Sequence, residues 1–272
     1  MKKRLFWLFI LFLLVALPLG SHLSESKKEV LVANGKQISV RVFNKQRYVS
    51  LYALCLSLGP CEATVDYDNE ITLHIETEHL SATIQNGSQL VVANGRYLYS
   101  EKENLYRDKV FYVPLETAVK AVGGEITGHT NGHYYLQTNA LGAIAAGDEY
   151  YDDDKLLWLS RIIHAESGNQ PLAGKIAVGT VVMNRVAHPD YPNTIYGVIF
   201  DNQHGVQFTP TENGAIWCDP SEESVTAAKI VLEGYRTNED ILFFMNEAIA
   251  VSSWISDNCE YEFTIQDHSF WS

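Results

Sequence analysis

From residue 30 to 138 the hydrophobic positions come in short alternating runs broken by turn residues. After residue 153 they recur at helical spacing. The pattern predicts a strand-rich first half and a mainly helical second half. Within the first half the pattern occurs twice: "VLVANGKQISV" from residue 30 is echoed by "LVVANGRYLYS" from residue 90, and "RYVSLYALCLSLG" from 47 by "VFYVPLETAVKAVGG" from 110. Asn-Gly at 34 and at 94 lies between apolar runs, a hairpin signal because both turn positions accept positive φ. The segments after "YVSL" and "YVPL" carry apolar residues at helical spacing and stop at Gly59 and Gly123, as helices closed by glycine do. Each unit then ends in a strand-like piece, "ATVDYDNEITLHIE" or "EITGHTNGHYYLQT". The expectation is an α+β module of two like halves over residues 29–138.

The segment 139–154, "NALGAIAAGDEYYDDD", is small and acidic and reads as a linker whose aspartates begin the next helix. That helix is expected from Asp153 or Asp154 to about Ser167, with Gly168 as its stop. At about 100° per residue, Ser160, Arg161 and His164 gather on one side, while Leu156, Trp158, Leu159, Ile162, Ile163 and Ala165 take the other. Glu166 falls between Ile162 and Leu159 on the apolar arc. In the last turn a glutamate can simply reach solvent. At the floor of a cleft, burial and the negative helix end would raise its pKa, giving the protonated acid that glycosidic cleavage needs.

A second helix follows, "PLAGKIAVGTVVMNRVA", with Asn169 as a possible cap and Pro171 at its start. Ala173, Ala177, Thr180 and Asn184 share one face, expected to pack on the first helix and to aim Thr180 and Asn184 at the same cleft; both can equally satisfy nearby backbone. "DILFFMN" and "YEFTIQDHSFW" read as short strands. Residues 155–272 thus form a mainly helical domain with a small sheet. Aromatic loop residues supply surfaces for stacking, and Phe208 and Trp217, which bracket "TPTENGAI", are the preferred cleft residues.

Length and composition narrow the function. With 272 residues, 46% of them hydrophobic, the chain can bury two modest cores. Lys2, Lys3 and Arg4 before "LFWLFILFLLVAL" form a secretory signal over residues 1–21, or an N-terminal anchor if uncleaved, so the protein is expected to be exported. Removing those three residues takes the formal charge from −13 to −16, which argues against a nucleic-acid partner. Cys55, Cys61, Cys218 and Cys259 in an exported chain can make two disulfides or remain thiols, with Cys55–Cys61 and Cys218–Cys259 as the local pairing. No metal or cofactor is expected: the histidines are dispersed, and His164-Ala165-Glu166 lacks the second cysteine motif of zinc deaminases.

Two resemblances add to this. Residues 29–138, on the V-x-x-N-G and Y-V-P-L…A…G patterns, resemble the duplicated copper amine oxidase N-terminal-like domain of exported bacterial proteins, which implies a spacer or wall-binding role. "HAESGNQPLAGKIAVGTVVMNRV" resembles the cell wall hydrolase family of the spore cortex-lytic SleB and CwlJ type, through Glu166, Gly174, Ala177, Val178, Val181, Asn184, Arg185 and Val186. "YPNTIYGVIF", "VQFTP" and "IQDHSFW" follow in that family's order, so the resemblance covers 155–272 and adds Thr209 and His268 to the substrate-binding candidates. It implies a lysozyme-like domain that cuts the glycan strand of peptidoglycan with one glutamate, here Glu166. Relatives often carry an acid where this chain has Gln170. The absence of a second buried acid favours a lytic transglycosylase; Glu212 is the candidate second carboxylate for a hydrolase, and a non-catalytic wall or spore-coat binding protein is the remaining alternative.

Overall fold

The computed structural model describes residues 28–203, 205–250 and 252–272; the N-terminal segment read as a signal or anchor lies outside them. No described helix is long and apolar enough to cross a membrane. The first half runs β1 (Val30–Ala33), β2 (Lys36–Ser39), β3 (Arg41–Phe43), β4 (Gln46–Val49), α1 (Leu51–Leu58), β5 (Glu62–Asp66), β6 (Thr72–Glu76) and β7 (Ser81–Gln85). It continues with β8 (Leu90–Ala93), β9 (Arg96–Tyr99), β10 (Leu105–Arg107), β11 (Val110–Pro114), α2 (Leu115–Ala121), β12 (Gly124–Thr130) and β13 (His133–Thr138). Three sheets result, ordered β12-β13-β1-β2, β10-β11-β4-β3 and β5-β6-β7-β8-β9. The parallel pairing of β1 with β13, Leu31 opposite Tyr134, ties the two ends of the module together.

Five two-residue hairpins set the register, at Asn34-Gly35, Asn44-Lys45, Asn94-Gly95, Asp108-Lys109 and Asn131-Gly132. Both turn residues have positive φ in each, the backbone twist that suits adjoining antiparallel strands. The two terminal strand-like pieces of the sequence are therefore not single strands: the first is β5 and β6, the second a hairpin turned by Asn131-Gly132. Helix α1 is capped by the Ser50 hydroxyl, which accepts from the Ala53 amide. Beyond α2, Gly123 has φ +61° and a Cβ there would lie 2.4 Å from the Ala143 carbonyl oxygen. Glycine alone fits both constraints. Leu31, Val49, Leu54, Ile75, Ile84 and Val113 fill the module core. The four cysteines are free thiols; burial, with Cys61 alongside, pushes Cys55 up to about 12.

The segment 139–154 is no loose tether. Ala143 and Ile144 belong to the first core. After a short helix α3 (Gly147–Tyr150), Tyr151 is buried; its hydroxyl donates to Glu233 at 2.8 Å and accepts from the Tyr97 amide. Composition hid these anchors because one alanine, one isoleucine and one tyrosine suffice to hold a short strap.

The second half contains α4 (Asp153–Ser167), α5 (Leu172–Ala187), α6 (Ile195–Ile199), α7 (Pro210–Asn213), α8 (Glu222–Leu232), β14 (Phe243–Met245), α9 (Trp254–Asn258), β15 (Tyr261–Ile265) and β16 (His268–Trp271). The sheet order is β14-β16-β15. Helices α4, α5 and α8 pack around Leu159, Ile163, Val178, Val182, Ile230 and Val231. Asp152 caps α4 by accepting from the Lys155 amide, whereas α5 begins after Pro171 without a side-chain cap, so Asn169 does not play that part. The close approach of α5 to its neighbours falls at Gly179, where a Cβ would lie 2.8 Å from Ile163 and 3.1 Å from Val231. The small-residue contact is thus one position away from the Ala177–Thr180 face expected from the sequence.

The halves meet through a buried charge cluster. Arg96 in β9 donates two bonds of 2.7 Å to the Glu233 carboxylate, and Lys120 lies 2.9 Å from it. The Glu233 side chain is 2% exposed. Arg96 also stacks on Tyr150 at 3.3 Å, and Tyr99 meets Tyr235 edge-on.

Candidate active site

Helix α4 delivers Glu166 to a cleft of about 1360 Å³ between the α4–α5 turn, Asp201 with residues 206–209, and the small sheet with α9. The helical phase explains the position. Leu159, Ile162 and Ile163 are fully buried, and Glu166 continues their arc where the helix emerges into the cleft. No described residue hydrogen-bonds its carboxyl. Burial raises Glu166 to about 7, opposed by the positive charge of Arg185.

Arg185 is the cleft's buried cation. It is 5% exposed, its Nε donates to the Leu242 carbonyl at 2.8 Å, and its Nη1 reaches Gln207 at 3.3 Å. Rings of Tyr191, Phe208 and Phe243 surround the guanidinium at 5.1–5.4 Å. Burial lowers its pKa from the usual arginine range, with Tyr191, Asp201 and Glu166 working the other way. Asp190 and Asp201 also line the cleft. The sequence marked Arg185 only as part of a motif and did not single out these aspartates, because their approach depends on loop paths.

Gln170 lines the cleft too. Its amide donates to Asp267 at 3.3 Å, holding the β15–β16 turn against the helices. A carboxylate at this position would be repelled by Asp267, which accounts for the amide here. The Gln170 carbonyl is itself held by buried Lys175, which pairs with Glu223 of α8 at 2.6 Å.

The remaining candidates divide. Phe208, Thr209 and His268 line the cleft; Phe208 is buried beneath Arg185 and Thr209 is exposed at the rim. His268 lies beside Phe244 with its Nδ1 unpartnered, and burial lowers its pKa below the usual histidine value, favouring the neutral ring. Thr180 and Asn184 do not reach the cleft. The Thr180 hydroxyl donates to the Ile176 carbonyl and accepts from the Thr237 amide. Asn184 donates to the carbonyls of Asn238 and Ile241, pinning the loop before β14. Asn184→Ala leaves both acceptors short of a donor, so a loss of roughly 2–3 kcal/mol in urea unfolding is expected; an unchanged midpoint would refute the pinning role. Trp217 lies outside the cleft, 59% exposed, and Glu212 is exposed and does not line it. Among the described residues no cluster of three His, Cys, Asp or Glu could hold a metal ion.

Residues 169–271 match the protein family described as Cell Wall Hydrolase, so the C-terminal half carries a cell wall hydrolase domain. The matched span begins after Glu166. The spore cortex-lytic enzyme of Bacillus cereus is 30% identical over 105 residues, 39% of this chain and 39% of the relative. That of Bacillus subtilis is 29% identical over 39% of this chain and 33% of its own length. The chain thus spans about two fifths or less of these relatives. Among solved structures, the catalytic domain of the germination-specific lytic transglycosylase SleB from Bacillus anthracis is 29% identical, covering 45% of this chain and 97% of that one, with a TM-score of 0.41.

Proposed function

We propose that the C-terminal domain is a lysozyme-like lytic transglycosylase that cuts the glycan strand of peptidoglycan between MurNAc and GlcNAc, with Glu166 as its acid and then its base. The observation that carries this reading is a carboxyl raised to about 7 by burial at the floor of a cleft. Protonated Glu166 donates its proton to the bridging oxygen as the C1–O bond of MurNAc breaks. The resulting carboxylate takes the proton of the MurNAc C6 hydroxyl while that oxygen bonds to C1, closing a 1,6-anhydro ring without water. Arg185 opposes the burial effect and keeps the carboxylate accessible in the second step.

Asp201 and Asp190 in the same cleft support a second reading, hydrolysis with one of them activating water. Mass analysis of released muropeptides separates the two. The transglycosylase gives anhydro ends, and Asp201→Asn keeps giving them; reducing ends that disappear in Asp201→Asn would establish the hydrolase. A third reading, a wall or coat binder without catalysis, requires that the protein release no fragments.

Because the reaction starts from the protonated acid, kcat/KM is expected to be level below pH 7 and to fall above about 7, tenfold per pH unit at the limit. A profile still rising at pH 8 would contradict Glu166 as the acid. The relatives' name, spore cortex-lytic enzyme, supports spore cortex as the substrate, and this reading carries with it an exported, spore- or wall-associated location. The N-terminal half, as a duplicated copper amine oxidase N-terminal-like module, would serve as a rigid spacer or wall-contacting unit.

A further inference from the structure

Trp217 stands in a second aromatic group. Trp158 of α4 meets Tyr196, Phe200 and Trp217 edge-on, with ring centroids 5.1, 5.4 and 5.6 Å away and planes at 76–85°. The planes of Tyr196 and Phe200 differ by 32° with centroids 4.5 Å apart, and those of Phe200 and Trp217 by 39°. They form a shelf, and its outer members are open, Tyr196 at 52% and Trp217 at 59% exposure. Arg161 lies 5.6 Å from Trp158 and 6.0 Å from Trp217, and its Nε is shut away from water without an acceptor.

The aromatic group adjoins residues of the cleft along the chain. Phe200 of the shelf is followed directly by Asp201 of the cleft. Thr209 at the cleft rim leads through α7 to Trp217. Trp158 and Glu166 share α4, about 12 Å apart along its axis at the usual helical rise.

We propose that Trp217, Tyr196 and Phe200 form a distal glycan subsite, on which sugar rings of the strand being cut in the cleft stack by their C–H faces. Edge-on rings present flat apolar faces that suit pyranose rings, and such faces with a donor set among them are amphipathic in the way a sugar is. A polymeric substrate extends beyond the bond being broken, and the exposed rings of Tyr196 and Trp217 flank the helix that carries Glu166. The inference rests on peptidoglycan glycan being the substrate.

The test uses the full chain carrying Glu166→Gln, which binds without cutting, and peptidoglycan glycan strands stripped of their stem peptides. Trp217→Ala and Tyr196→Ala, singly and together, are expected to weaken cosedimentation with the strands, the pair about tenfold, which corresponds to about 1.4 kcal/mol. Trp217→Phe restores most of the binding, and the quenching of tryptophan emission by the strands is lost in Trp217→Ala. Unaltered circular dichroism and melting temperature assign the loss to the shelf. Binding of the double variant equal to the parent's overturns the proposal. So does unchanged glycan affinity with a shift in sedimentation, which assigns the shelf to a second copy of the chain. A parent that fails to bind the strands, together with a wild type that clears no peptidoglycan gel, refutes the substrate reading instead.

Discussion

Glu166→Gln is expected to lower the rate of peptidoglycan clearing on the order of 10²- to 10⁴-fold, the contribution proposed for a positioned acid and base, while making the protein more stable at alkaline pH. Both effects have one cause. The cleft favours the neutral carboxyl, so its pKa rises from 4.5 to about 7. In the unfolded chain the group ionises at 4.5. Stability is therefore greatest below that value and declines as the pH rises from 4.5 to about 7, because the folded protein must hold a proton the unfolded chain has released, or bury a charge. Above pH 7 the full penalty applies. At 1.36 kcal/mol per pH unit its upper bound is about 3 kcal/mol, reduced by whatever water reaches the cleft. Glutamine has the shape of the neutral acid and carries no such penalty. Turbidity assays and thermal melts at pH 5 and pH 8 measure both sides: the variant melts higher than wild type at pH 8, and the gap closes toward pH 5. Full clearing by the variant would end the catalytic reading. Equal melting at pH 8 would show that Glu166 is not buried as an acid.

Glu166 was legible because helical phase is a local property, and a charged residue between Leu159 and Ile162 contradicts its own neighbours. Thr180 and Asn184 were assigned to the cleft by the same phase argument, and there it fails. Their groups are taken by backbone of residues 237–241, a loop more than 50 positions away whose path no helical wheel contains. Arg185 was noted only as a motif position for the same reason, since its value lies in Leu242, Gln207 and the three rings that converge on it. In the first half, Asn-Gly turns marked hairpins at 34 and 94, yet the same dipeptide at 131 was read through as strand. Asn44-Lys45 and Asp108-Lys109 make equivalent turns with a lysine at positive φ, which no composition rule flags. Trp217 was singled out as a cleft residue but lies outside the cleft; its ring contacts, with Trp158 on α4 and Phe200 just after α6, are of a kind no local pattern shows.

Glu233→Gln is expected to cost about 3–5 kcal/mol of stability, the penalty for breaking a buried ion pair from one side. Burial by itself would raise the Glu233 pKa, but bonds from Arg96, Lys120 and Tyr151 outweigh it and hold the carboxyl below its ordinary range. The glutamine keeps the size and can still accept from Tyr151, yet Arg96, 6% exposed, loses its counter-charge and Lys120 its partner. The acid limb carries the same signature: because the folded pKa is depressed, the contribution is intact above the unfolded value and disappears as the pH falls through the folded one. Wild type therefore loses stability on acidification through this range, and the variant, which has no such carboxylate, loses less. Urea unfolding at pH 7 and pH 3 provides the measurement. Because Arg96 and Glu233 lie 137 residues apart on opposite sides of the junction, the variant should also loosen the two halves and expose the 143–151 strap to proteolysis before either core unfolds. Cleavage that appears only with global unfolding would mean that the rings of Tyr99, Tyr150 and Tyr235 hold the junction without the charges.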